Sequence, residues 1–290
     1  MSVTDIERMH RGGMPLAPGR GVLVTGATLI VLLGSWFAGE FAPYRAAALS
    51  GEPLAPPDAD HWLGTNKVGQ DVASQMLLGA RTSLAVAVLA GGGAIVVGAA
   101  VGLSAAWSGR AADLVLMRVT DLALVIPRVP LLILVAAYLG TSLWGTVAAI
   151  SATSWAPIAR VLRARARGFR GQGYIRAAAG FNAPMVYVLR RHLLTEVAPV
   201  LLAAFVAAAG RAIMIEAGLA LLGIGDPTRV SWGSIIREAI EFRSLFRTDA
   251  WRWWLLPPVV AVSMAVYATS LLATALDARA NPRAARRAGA

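Results

Sequence analysis

The side chains able to do chemistry in this 290-residue chain are few and scattered. It has no cysteine, which removes disulfides, thiolate metal sites and cysteine nucleophiles together. Its three histidines, His10, His61 and His192, lack the spacing of a helix-borne metal pair, so no metal site is expected from this chain. There is no G-x-x-x-x-G-K-[ST] loop to cradle phosphate, no G-x-S-x-G elbow, no H-E-x-x-H pair and no carboxylate pair marking a hydrolytic cleft. The expectation is a chain with no catalytic residues and no bound cofactor. The chemistry that remains is that of charge inside apolar runs. Arg128, Arg211 and Glu216 each interrupt a hydrophobic stretch, where an ionisable residue is costly and usually faces protein or a water-filled cavity. They are candidates for lining a path, with packing between subunits as the alternative. Arg211 and Glu216 stand five apart, a poor spacing for a same-face helical pair.

The elements that must position these charges are apolar. The chain is 57% hydrophobic and 15% charged, with a mean hydropathy of +0.62, outside the range of soluble domains. Six runs approach the roughly 20 residues needed to cross about 30 Å of hydrocarbon: 21–38, 83–106, 122–139, 143–159, 197–217 and 253–275. An all-α integral membrane protein follows, divided into an arm (1–20), a first span (21–38), a linker (39–81), a core (82–276) and a tail (277–290). The arm bears Arg8, Arg11 and Arg20 like a signal peptide's positive region, but five further spans anchor the chain, so the first is expected to be retained.

Loop charge sets the orientation. The net charge of +11 comes from 27 basic against 16 acidic residues, and the basic ones fall in short segments between spans, which fits membrane topology and not nucleic-acid binding. Loop 160–192 carries eight arginines from Arg160 to Arg191 and no acid, so it is expected in the cytoplasm. Counting across alternating spans puts Arg110, Arg118, the arm and the tail on the same side, and residues 39–81 and 223–252 outside.

Within the spans, Gly98 and Gly102 have the small-xxx-small spacing of close helix contacts, which reads as packing. Pro127 and Pro130 predict a kink in the third span. Residues 235–243 alternate apolar and charged types at helical spacing, an amphipathic helix lying at the interface or over a pathway mouth.

Several segments resemble the permeases of the dipeptide, oligopeptide and nickel branch of ABC importers, over about residues 20–283. His61-Trp62-Leu63-Gly64-Thr65-Asn66-Lys67-Val68-Gly69-Gln70-Asp71, followed by Gly79-Ala80-Arg81-Thr82-Ser83-Leu84, is similar to H-P-L-G-T-D-x-x-G-R-D…G-A-R-x-S-L. Trp62, Asn66 and Gln70 depart from it. Tyr174-Ile175-Arg176-Ala177-Ala178-Ala179-Gly180-Phe181-Asn182, leading to His192, resembles the family's "EAA" loop, with Asn182 where a glycine is expected. Glu216-Ala217-Gly218-Leu219-Ala220-Leu221-Leu222-Gly223-Ile224-Gly225 with Ser231-Trp232-Gly233 is similar to E-x-x-L-S-F-L-G-L-G…S-W-G, and Leu276–Arg283 looks like the closing L-R-D-x-L-D-P-R stretch.

The resemblance implies a type I ABC importer permease fold in the bacterial cytoplasmic (inner) membrane, with both termini cytoplasmic. It implies a coupling helix around 174–190 that seats in an ATPase, with Tyr174, Arg176, Ala177, Ala178, Ala179, Gly180, Asn182 and His192 as its contact residues. It also implies as partners a second, homologous permease, two ATP-binding subunits that use ATP and magnesium, and an extracytoplasmic binding protein. His61, Gly64, Thr65, Gly69, Asp71 and Arg81 form the external signature. Trp232 joins Arg128, Arg211 and Glu216 as a pathway or gating candidate. The rivals are an ion-gradient-driven secondary transporter, which predicts inverted repeats and midplane carboxylates, and a membrane-embedded enzyme, which predicts a catalytic constellation.

Overall fold

The computed structural model of the chain describes Gly34, Phe37, residues 39–170 and residues 194–280. The candidate coupling residues from Tyr174 to His192 and the first expected span, apart from helical Gly34 and Phe37, lie outside these residues. All regular structure among the described residues is helical, with two isolated antiparallel bridges, Leu49 to Gln70 and Thr65 to Asp71.

Helix α1 (Val72–Trp107) starts well before the apolar run that announces it. Asp71 caps it, accepting the Ser74 amide at 2.7 Å. The first turns hold Ser74, Gln75 and Arg81, so hydropathy alone does not find them. At 1.5 Å per residue the 36-residue helix is about 54 Å long and must project beyond the hydrocarbon.

The third expected span, 122–139, is not one helix. It divides into α2 (Arg110–Val125) and α3 (Arg128–Leu139), bent by 95°. The ring of Pro127 disfavours helical backbone at the preceding residue, and Ile126 is extended at φ −64°, ψ 128°. Pro130 falls in the first turn of α3, where its missing N–H costs no bond.

Helix α4 (Leu143–Arg170) contains the fourth apolar run but continues eleven residues past it, through five arginines. After α5 (Leu194–Leu221) the chain turns at Gly223, φ +78°. There the Ile224 amide reaches the Leu219 carbonyl and the Gly223 amide that of Ala220, a Schellman ending. Ser231 then caps the short amphipathic α6 (Trp232–Glu241), and α7 (Trp251–Trp254) leads into α8 (Leu256–Ala280). Among the described residues α1, Val197–Leu221 and Trp251–Arg279 are long and apolar enough to span a membrane, with α2 and α3 a fourth if counted together.

The helices pack through absent side chains. A Cβ on Gly98 would lie 2.8 Å from the Ile158 side chain and 2.9 Å from the Trp155 carbonyl, and one on Gly102 would strike the Ala159 carbonyl. Helices α1 and α4 therefore run parallel in close contact. A Cβ on Gly91 would lie 3.0 Å from the Ala209 amide, and Ser83 meets Glu216, so α5 runs antiparallel to α1. Helix α8 packs on α5 where Gly210 faces Thr269.

Candidate functional site

At the end of the bundle where α1 starts, the residues before it fold into a compact knot. His61 Nδ1 lies 3.1 Å from Asp71 Oδ1, both side chains buried, while the other Asp71 oxygen caps α1. The Thr65 hydroxyl donates to the Glu52 carbonyl at 2.5 Å and accepts the Ala55 amide at 2.8 Å. The Thr65 carbonyl accepts the Trp253 indole at 3.2 Å, tying the knot to α7. Gly64 has φ +61°, and a Cβ there would lie 2.5 Å from the Ala55 carbonyl, so only glycine fits; Gly69, at φ +83°, packs on Gly51. Arg81 is exposed and pairs with Glu40 at 3.2 Å.

Below the knot three distant pieces of sequence meet. Glu216 of α5, only 6% exposed, accepts the Ser83 hydroxyl of α1 at 3.2 Å. The same hydroxyl accepts the Trp232 amide at 3.2 Å, and the Ser231 side chain is close by, so the carboxyl faces the start of α6. The positive end of a helix dipole favours an acid there. The Trp232 indole donates to the Met76 carbonyl at 3.1 Å and is buried. Glu216 and Trp232 thus knit α1, α5 and α6 together.

Beside this junction opens a groove of about 820 Å³, lined by Gln70, Arg81, Asp226, Arg229, Arg237 and Glu238 among others. Asp226 accepts the Leu143 amide at 3.1 Å and so holds the start of α4. Burial works against its charge, but the Thr228 hydroxyl and amide, the Leu143 amide and the nearby Arg229 outweigh that and hold its carboxyl below the usual range. Burial pushes Glu238 up, opposed by Lys67 and Arg237.

Deeper in the bundle, Arg128 begins α3 and donates to Ser154 Oγ on α4 at 2.5 Å. Arg211 projects from α5 near enough for the two guanidinium charges to interact. At the opposite end of the bundle Asp113 of α2 receives Arg163 Nε at 2.5 Å and Nη2 at 2.8 Å, and Arg167 Nη2 at 2.5 Å. Asp121 pairs with Arg160 at 2.5 Å. This clamp binds α2 to the part of α4 that leads into the loop expected to couple.

Residues 94–286 match the family described as "Binding-protein-dependent transport system inner membrane component". The chain belongs to this family. It is similar to a protein named as a peptide permease in Brucella suis biovar 1, with 34% identity over 229 residues, 79% of this chain and 75% of that one. A second Brucella suis protein, named as a peptide transport system permease, is 32% identical over 264 residues, 88% and 86% of the two chains. The dipeptide transport system permease protein DppC of Bacillus subtilis is 28% identical over 236 residues, 81% and 72%. The chain is a multi-pass permease subunit of an ABC importer.

In this permease the motif pieces around 61–84, 216–225 and 231–233, far apart in sequence, form one packed unit. Charge inside an apolar run singles out Glu216 and the family resemblance Trp232, but neither singles out their link, Ser83; the serines inside two of the motif strings are the available signal. Asp113 was also missed. Its clue was position, since it and Asp121 are acids in the segment with Arg110 and Arg118, which loop charge expects on the same side as the arginine-rich loop.

Proposed function

We propose that this permease moves peptides across the bacterial cytoplasmic membrane by alternating access, paired with a homologous permease above two ATP-binding subunits and fed by an extracytoplasmic binding protein. The full fold is the six-span type I arrangement, with the first span near 21–38, both termini in the cytoplasm and the arginine-rich loop inside. The peptide assignment rests on what the relatives are named for.

The observation that carries the mechanism is the pair of joints at the two ends of α4. Its start is held by Asp226, and its last turns are clamped to α2 through Asp113. Residues 174–192 follow directly, and as a coupling helix they would pass ATPase movement into α4, which carries α2 with it and slides along α1. The chain contributes no catalytic group; ATP and magnesium are used by the partners. Only binding energy that differs between the two end states can drive the switch.

The test is reconstitution in proteoliposomes with the ATP-binding subunits, the second permease and the binding protein. Peptide uptake should require ATP inside the ATPase-facing compartment. Uptake without ATP, driven by a proton gradient, would establish the ion-coupled alternative instead. Ala178→Asp or Gly180→Asp should abolish uptake and loosen the ATPases while leaving membrane insertion intact; normal transport by both variants removes 174–192 as the coupling element.

A further inference from the structure

Three helices place Arg128, Ser154 and Arg211 at one depth. Counting from the ends nearest the groove, Arg128 lies eleven residues from Leu139, Ser154 eleven from Leu143 and Arg211 ten from Leu221, each about 15–17 Å down. That is near the middle of a hydrocarbon layer of about 30 Å. One turn on, Leu132 is buried in an apolar cluster built from α1, α3, α4 and α5, and Ile215 packs against the same cluster.

Neither arginine has an acidic partner among the described residues. Arg128 has a neutral one, the Ser154 hydroxyl, and its Nε is buried with no hydrogen bond. Arg211 lies on an open face of α5, as does Met214 one turn on, 65% exposed. At that depth two neighbouring guanidinium groups facing lipid would carry a heavy penalty and would have to thin the bilayer to reach headgroups. The face is therefore turned toward water or protein. The break at Ile126–Pro127 points the same way, since Val125 and Ile126 are exposed there and irregular backbone at membrane depth is tolerated only against protein or a water-filled cavity. Beside Arg128 is the positive end of α3, whose first turn has no side-chain cap. A broken helix with its positive end and free guanidinium donors directed into a transport path is suited to a carboxylate.

We propose that Arg128 and Arg211 form a cationic subsite midway along the transport path, which receives the C-terminal carboxylate of the passing peptide. The proposal rests on the peptide reading above for its substrate and on the chain's own geometry for its charge. In the reconstituted importer, the wild type should carry a peptide with a free C-terminus at least about tenfold faster than the same peptide as its C-terminal amide, at equal occupancy of the binding protein. Arg211→Gln should remove that preference by slowing the free acid and not the amide. Equal losses for both peptides, or no loss, overturn the subsite.

A second measurement needs no peptide. With Met214→Cys as the only thiol in the chain, an anionic methanethiosulfonate should react about tenfold faster than a cationic one, and Arg128→Gln or Arg211→Gln should abolish the preference. Equal rates, or faster reaction with the cation, would mean that an acid of the second permease neutralises the pair, and would overturn the proposal. Failure of the wild type to carry either peptide, with the anionic preference intact, discards the peptide reading and leaves the cationic site standing.

Discussion

At position 66 this permease has an amide where the resembled signature has an acid, and at 70 an amide where it has an arginine. The two are partners: Asn66 Nδ2 donates to Gln70 Oε1 at 2.7 Å, and Asn66 Oδ1 accepts the amides of Val68 and Gln70 at 3.0 Å each. Asn66 is fully buried while Gln70 is partly buried and also lines the groove, so the two departures place a neutral pair between the knot and the groove wall. Gln70→Arg alone would face an amide donor with a guanidinium. Asn66→Asp with Gln70→Arg should be more stable than the sum of the single changes by about 0.5–3 kcal/mol in a thermal-melt cycle, and strict additivity would dissolve the pairing. Asp226 supplies a pH effect of definite sign. Its folded value is depressed, so its contribution is present above the unfolded value of about 3.9 and is lost as pH falls below it. Glu238 is raised and works oppositely, its contribution being lost as pH rises through the folded value. Melting in detergent from pH 6 to pH 3 should therefore show a loss at low pH that Asp226→Asn reduces and Glu238→Gln does not.

At the scale of elements, the sequence exposed what depends on local rules and hid what depends on partners. Gly98 and Gly102 announced a close helix contact, and the helix that makes it is α4. Pro127 announced the break between α2 and α3. The start of α1 was not visible in hydropathy because Asp71, not apolar content, sets it. Nor was the clamp visible, since nothing in a linear chain says that Asp113 meets Arg163, fifty residues away. The clamp predicts a specific fault. Asp113→Asn removes the negative charge and puts an NH2 donor where one of the two acceptor oxygens stood, against two guanidinium groups, so the clamp loosens and α2 no longer follows α4. Reconstituted transport should fall about tenfold while ATP hydrolysis continues, because bonds to charged groups of this kind are worth roughly 1.5–3 kcal/mol. Arg163→Ala should be more damaging than Arg167→Ala, as Arg163 makes two of the three bonds and is the less exposed. A parallel drop in hydrolysis and transport would mean that the clamp merely holds the fold.

For the whole molecule the decisive quantity is the distribution of charge between its ends. At one end lie Arg110, Arg160, Arg163, Arg165, Arg167, Arg170 and Arg279, with the acids Asp113, Asp121 and Asp277; at the other lie the knot, Asp226, Glu238, Glu241 and Asp249 among mixed charges. Helices α1 and α4 run from the mixed end to the basic end and α5 returns, so hydropathy and packing agree on one axis, and the excess of arginine predicts that the basic end faces the cytoplasm. The absence of cysteine from the whole chain makes this direct to check. Trp62→Cys and Phe246→Cys, at exposed positions of the mixed end, should react with a membrane-impermeant maleimide in intact cells. Gly168→Cys, in open space near the end of α4, should react only after the membrane is opened. The reverse pattern would put the arginine-rich segment outside, where no ATP-binding subunit could reach it, and would overturn the coupling mechanism together with the orientation.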